Sequence, residues 1–341
     1  MLFFDLHFCT ISNCMEDKLT SGYWNLDMPY DYSHKYELDA VGIPTDRLAF
    51  IHESTLYPIG DVDIEKAVRV IDQCRQETNK LPVLCWDKNY FKNIDLWKDG
   101  ISKAVDPSMY VILEPNDIPC FLYQNQLELK HNKIPEKKYR FSYLSGLVRY
   151  HRIELANRIK QYVTKDDVVV INDYGDENYS NTVPEGCKDN RRDIPWASDP
   201  SFVDFSTSLD NAQQHINKTK IHPAYNAKIH VIGETGSPDQ VSLVSEKTWR
   251  PLLLGCLSLT WGPITNTEYL TKAGIEVLDI DKITDADRKL DAIVDMLKYD
   301  SVDDIYQKNK SMIEHNRQLV SSEKFLKDQT ETARCKIMER L

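Results

Sequence analysis

KIHVIGETGSPDQVSLVSEKTWRPLLLGCLSLTWGP, Lys228 to Pro263, holds two apolar runs separated by a charged stretch. Ile229, Val231 and Ile232 form the first run, which stops at Gly233-Glu234; Leu257 to Trp261 form the second, which stops at Gly262-Pro263. Short β-rich runs bounded by turn residues predict buried strands of a parallel sheet. Between them Ser245 fits an N-cap, Glu246 and Arg250 stand at i,i+4, and Leu252 to Leu254 supply an apolar end, so a helix is expected. Pro251 removes one bond of that helix and favours a kink. In a strand, helix, strand unit, the free N–H groups and positive dipole end of a helix N-terminus face anions outside the carboxyl ends of the strands. Glu234, Ser245, Glu246 and Lys247 fall at that rim. The plainer reading makes Glu246 and Lys247 solvated residues of a first turn.

A second segment, FSYLSGLVRYHRIELANRIK, Phe141 to Lys160, reads as a short strand, a basic turn with Arg149, His151 and Arg152, and a helix. Leu155, Ile159, Tyr162 and Val163 recur at helical spacing, so one helix face can be buried while its N-terminus points to the same rim. Arginine's planar fork, charged at any relevant pH, suits a diphosphate. An amphipathic helix with ordinary surface arginines would give the same pattern.

The string SEKTWRPLLLGCLSLTWGP with the upstream Glu234 resembles the donor-binding motif of fucosyltransferase-like glycosyltransferases, and more closely the related glycosyltransferases of bacteriophages and large viruses. Phe141 to Lys160 resembles the segment that opens the same domain. The resemblance implies an α/β protein of GT-B type: two Rossmann-like domains and a helical C-terminal tail that crosses back to the first domain. It implies a UDP- or GDP-sugar donor, with Glu246 and Lys247 on its ribose and phosphates, Arg149 and Arg152 near the diphosphate, and Glu234 and Ser245 beside them. It also implies transfer with inversion, no required cofactor and no required metal. Asp61-Val62-Asp63 and Asp279-Ile280-Asp281 have the spacing of a metal-binding pair, but the first reads as a helix cap and acidic residues are common in this chain.

The rest of the chain alternates strand and helix patterns. Leu48 to Ile51, Leu81 to Trp86 and Met109 to Leu113 read as strands, with Ile64, Ala67, Val68 and Ile71 as a helix face. Polar LKHNKIPEKKYR, Leu129 to Arg140, reads as a linker, dividing an acceptor-side domain, 1–135, from a donor-side domain, 136–300. Val168 to Ile171 and Ile275 to Leu278 read as further strands, the latter followed by a helix with Thr284 as N-cap and Leu290, Ile293, Val294 and Leu297 on one face. Residues 301–341 are helical by pattern and are expected to pack on the first domain.

Asp173 and Tyr174 follow a predicted strand and are candidates for donor binding, Tyr174 by stacking on the nucleobase, although Asn172 to Gly175 also reads as a simple turn. Arg191, Arg192 and Trp196 form a basic-aromatic cluster that suits a polyanion or a plain solvated loop. A general base should lie on a loop after an amino-terminal strand. Glu53 and Asp87 qualify, with Glu114 and Asp117 close behind.

A net charge of −11 excludes a broad polyanion-binding surface, so any nucleic-acid contact must be local. Hydrophobic content of 41% and charged content of 28% are those of a soluble globular protein. Eight cysteines without CxxC spacing read as reduced core residues. With no membrane-length apolar run and no secretory pattern in MLFFDLHFCT, a cytoplasmic location is expected, host cytoplasm for a viral protein. The phage relatives suggest a hydroxymethylated pyrimidine such as hydroxymethylcytosine in DNA as acceptor, receiving glucose or arabinose; other relatives suggest a glycan. Flipped-base chemistry needs only a narrow groove. A nucleotide-sugar-binding protein without catalysis is the third reading.

Overall fold

The computed structural model describes residues 38–52, 64–85, 88–89, 94–114, 117–119, 122–129, 134–145, 150–164, 166–171, 223–234, 238, 241–242, 244–298 and 302–341. In chain order these form β1 (Leu48–His52), α1 (Ile64–Thr78), β2 (Leu81–Cys85), β3 (Lys88–Asn89), α2 (Ile94–Ala104), β4 (Val111–Leu113), α3 (Leu122–Leu129), β5 (Tyr139–Ser145), α4 (Tyr150–Ile159), β6 (Val168–Ile171), β7 (Ala227–Gly233), β8 (Val241–Ser242), α5 (Glu246–Leu253), β9 (Leu257–Trp261), α6 (Ile264–Lys272), α7 (Ala286–Lys298), α8 (Val302–Lys308), α9 (Lys310–Val320) and α10 (Glu323–Met338). The protein is mixed α/β with parallel sheets, divided into two units.

One unit comprises the described residues up to Gln126 with Gln240–Glu246 and Ser322–Leu341. Its sheet, order β1-β2-β4, is parallel throughout. Successive strand residues point to opposite faces, so each strand feeds two cores. Ala49, Ile51 and Leu84 pack with Ala67, Ile71 and Ile101 of α1 and α2, whereas Leu48, Phe50, Val83, Val111 and Leu113 pack with Ala333 and Ile337 of α10. Coverage on both faces explains why these strands read as nearly continuous apolar runs. Polar contacts tie α10 down: Lys336 reaches Asp117 at 2.5 Å, and Arg340 donates to the Pro107 carbonyl at 3.0 Å. β3 and β8 form a separate antiparallel pair.

The other unit is built from the described residues within Leu127–Asp239 and Lys247–Ser321. Its parallel sheet has the order β6-β5-β7-β9. Phe141, Tyr143, Ile229, Val231, Leu257, Leu259 and Trp261 line one face, covered by Leu155, Ala156 and Ile159 of α4 and by Leu290, Ile293, Val294 and Leu297 of α7. Gly255 turns α5 into β9 with φ of 70°, a left-handed conformation that glycine adopts without a Cβ penalty.

Four expectations change. The linker segment is integral, since β5 begins at Tyr139 and Lys137 donates to the carbonyls of Tyr225 and Leu254 at 2.8 and 2.9 Å and to Cys256 Sγ at 3.1 Å. The C-terminal boundary moves from 301 to Ser322, because Val302 and Ile313 of α8 and α9 are buried in the same core as β5, β7 and β9. Asp285, not Thr284, caps α7, its Oδ1 accepting from Arg288 N–H at 2.8 Å. Ile275 to Leu278 is not a strand: the amide of Asn316 accepts from Glu276 N–H at 2.8 Å and donates to Glu276 carbonyl at 2.7 Å, taking the place of a partner strand. Asn316→Ala is therefore expected to cost about 1–2 kcal/mol, read as a lower urea midpoint, because two backbone groups lose their partner together.

Among the described cysteines, Cys74 and Cys256 are buried as expected but Cys335 is exposed on α10. No helix among the described residues is long and apolar enough to cross a membrane.

Candidate functional site

The connection after β5 leads to β6 on one side, and the connection after β7 leads to β9 on the other. Adjacent strands whose connections leave in opposite directions define a topological switch point, where open parallel sheets place ligands outside the carboxyl ends. Here that point lies between the ends of β5 and β7. Both sequence segments that suggested a site converge there, α4 following β5 and Glu234 following β7.

Glu234 is the hub. It is fully buried, and its N–H donates to the Trp261 carbonyl at 3.1 Å, continuing the β7 to β9 ladder past the last strand residue. Its carbonyl accepts from Arg152 Nε at 3.1 Å, Arg152 Nη2 at 2.9 Å and His151 Nε2 at 3.0 Å. A carbonyl only accepts, so Nε2 carries the proton of His151. Its carboxylate Oε1 accepts from Thr248 Oγ1 at 2.5 Å. Trp261 Nε1 donates to the His151 carbonyl at 2.7 Å, and Tyr143 Oη donates to the Arg152 carbonyl at 3.2 Å. Burial pushes the Tyr143 phenol up to about 12, so it stays a neutral donor. An added Cβ at Gly262 would stand 2.6 Å from Glu234 Cβ, so glycine is what lets the Glu234 side chain lie against the end of β9.

Thr248, which meets the hub, follows the predicted donor contacts Ser245, Glu246 and Lys247 in the chain. Glu246 opens α5, Lys247 follows it half-buried, and Ser245, at the position immediately before the helix, is 3% exposed. Arg152 is also 3% exposed, and two of its nitrogens are turned onto the Glu234 carbonyl. Arg149, Asp173, Tyr174, Glu53, Asp87 and the cluster Arg191, Arg192 and Trp196 lie outside the described residues. The structure thus brings together Arg152, Glu234 and the start of α5. With them comes His151, the neighbour of Arg152 in the basic segment, and the structure adds Tyr143, Thr248 and Trp261, of which Thr248 carried a signal by standing beside Glu246-Lys247.

Compared with known proteins, the chain matches no protein-family model, no curated protein and no solved structure. The site must be read from its own chemistry.

Glu114 and Asp117, the secondary base candidates, sit at the carboxyl end of β4 and are ion-paired. Lys98 Nζ is 2.6 Å from Glu114 Oε1, and Asp117 Oδ2 accepts from Glu114 N–H at 2.8 Å while pairing with Lys336. Burial pushes the Glu114 carboxyl up, but the bonds from Lys98 and Lys336 outweigh it and hold the group below its ordinary value. A carboxylate stabilised in that way is a weak proton acceptor. Of the Asp-x-Asp string near the donor unit, Asp281 is buried and its Oδ1 accepts from Thr260 N–H at 2.7 Å, while Asp279 pairs with Lys282 at 2.9 Å. Among the described residues no group of three or more His, Cys, Asp or Glu side chains is arranged to hold a metal.

Proposed function

We propose that the protein is a nucleotide-sugar-dependent glycosyltransferase of GT-B type with two Rossmann-like domains, working with inversion. The observation that carries this reading is the coincidence of the SEKTW helix start with the switch point of a parallel sheet. Lys247 and the amino-terminal N–H groups of α5 take the donor's diphosphate, and Glu246 takes ribose hydroxyls. In the transfer, the acceptor oxygen bonds to the anomeric carbon as the bond from that carbon to the diphosphate oxygen breaks. The acceptor proton passes to a carboxylate, for which Glu53 and Asp87 are the candidates, and the charge left on the diphosphate is neutralised at α5. A hydroxymethylated pyrimidine of DNA is the preferred acceptor class; the net charge of −11 favours the second, a glycan.

Binding of UDP and GDP, measured by calorimetry, tests the donor half. Lys247→Ala is expected to weaken the bound nucleotide by about 10–30-fold, since one charged hydrogen bond to phosphate is lost. Wild-type protein that binds neither nucleotide, and hydrolyses neither UDP- nor GDP-sugars, would overturn the reading.

A further inference from the structure

The carboxylate of Glu234 points to protein rather than to the rim. Its residue is 0% exposed, its backbone N–H and carbonyl are both engaged, and its Oε1 holds Thr248 Oγ1. Thr248 is the third residue of α5, next after Glu246 and Lys247. A threonine within a helix usually returns its hydroxyl to the carbonyl one turn back. Here it crosses to the end of β7, fourteen positions earlier in the chain. The same Glu234, through its carbonyl, takes His151 and Arg152 from the start of α4. One residue therefore ties both helix starts to the sheet end between them.

We propose that Glu234 is a positioning residue and not a donor contact: through Thr248 it fixes the first turn of α5, and with it the backbone that carries Glu246 and Lys247. Arg152 belongs to the same framework, with its Nε and Nη2 on the Glu234 carbonyl. The inference rests on the nucleotide-sugar reading of that turn. Its physical basis is the cost of misplacement, because a phosphate-binding turn that rocks freely loses affinity even when every contacting side chain is present. The tie needs an acceptor oxygen at position 234 and a hydroxyl at position 248. It does not need a negative charge.

Three variants separate the roles. Thr248→Val removes the hydroxyl and is expected to weaken UDP or GDP binding about tenfold; Thr248→Ser restores the hydroxyl and should bind within about twofold of wild type. Glu234→Gln keeps an acceptor oxygen and should stay within about threefold. Direct donor contact by the Glu234 carboxylate predicts the reverse, a large loss in Glu234→Gln and near-normal binding in Thr248→Val, and that pattern overturns the proposal. So does a serine variant that fails to restore binding. Amide exchange across the first turn of α5 supplies a readout independent of nucleotide: it should speed up in Thr248→Val and return to normal in Thr248→Ser. If wild-type protein binds neither nucleotide, the donor reading falls, and unchanged exchange in Thr248→Val would remove the positioning tie as well.

Discussion

Lys289→Met is expected to destabilise the protein by about 3–5 kcal/mol at pH 8 and by much less at pH 5. Lys289 on α7 is 2% exposed, and its Nζ donates to the Asp281 carbonyl at 3.0 Å. Asp281 is itself 3% exposed, with its carboxylate on the Thr260 N–H of β9, an edge strand among the described residues. Burial pulls the lysine amine down, against the attraction of Asp281. Burial also pushes the Asp281 carboxyl from 3.8 up to about 6, against the lysine and the Thr260 N–H. A folded-state value above the unfolded one means that the native state holds the proton more tightly. The stability from this group is fully present below about 3.8 and is lost as pH rises through about 6. At about 1.4 kcal/mol per pH unit, that interval corresponds to roughly 3 kcal/mol for the group alone. Without the ammonium, ionisation becomes harder still, so the loss continues to higher pH. Urea unfolding of both proteins at pH 5 and pH 8 checks this, and an equal deficit at the two pH values would contradict it.

The second large effect is at Lys137. Its Nζ holds the carbonyls of Tyr225 and Leu254, which sit before β7 and at the end of α5, together with the thiol of buried Cys256. Methionine at this position keeps the stem but leaves both carbonyls without that donor, each at about 1–3 kcal/mol where water does not replace it. Lys137→Met is expected to cost about 2–4 kcal/mol in all. Arginine should not rescue it, because a planar fork cannot reproduce three bonds diverging from one nitrogen. Thermal unfolding of the two variants decides: an arginine variant as stable as wild type would show that charge, not geometry, holds the three ends.

Both residues mark where the sequence stopped being legible. Strands β1, β2, β5, β6, β7 and β9 and the faces of α1, α4 and α7 were readable because burial on a parallel sheet writes itself as apolar runs and helical spacing. Lys137 stood in a polar stretch with a proline, the usual signature of a linker, and nothing local reveals three acceptors brought in from 88 to 119 positions away. Ile275 to Leu278 has a strand's composition, but its backbone is satisfied by Asn316, forty positions on. At the site, periodicity placed Glu234 and Arg152 on the correct rim. It could not say that Arg152 turns onto the Glu234 carbonyl and the Glu234 carboxylate onto Thr248, since that depends on side-chain direction at the end of a strand.

The division of the chain also sets an order of events during synthesis. The unit carrying β5, β6, β7 and β9 has all its segments once Ser321 has been translated. The amino-terminal sheet has its strands much earlier, yet the core that Leu48, Phe50, Val83, Val111 and Leu113 share with Leu38, Ile43 and Ile118 is short of Ala333 and Ile337 until α10 emerges. The half made first is thus completed last. Until then the apolar surface that Ala333 and Ile337 bury stays open, the kind of surface that recruits chaperones or aggregates, and truncations before α10 should inherit that liability permanently.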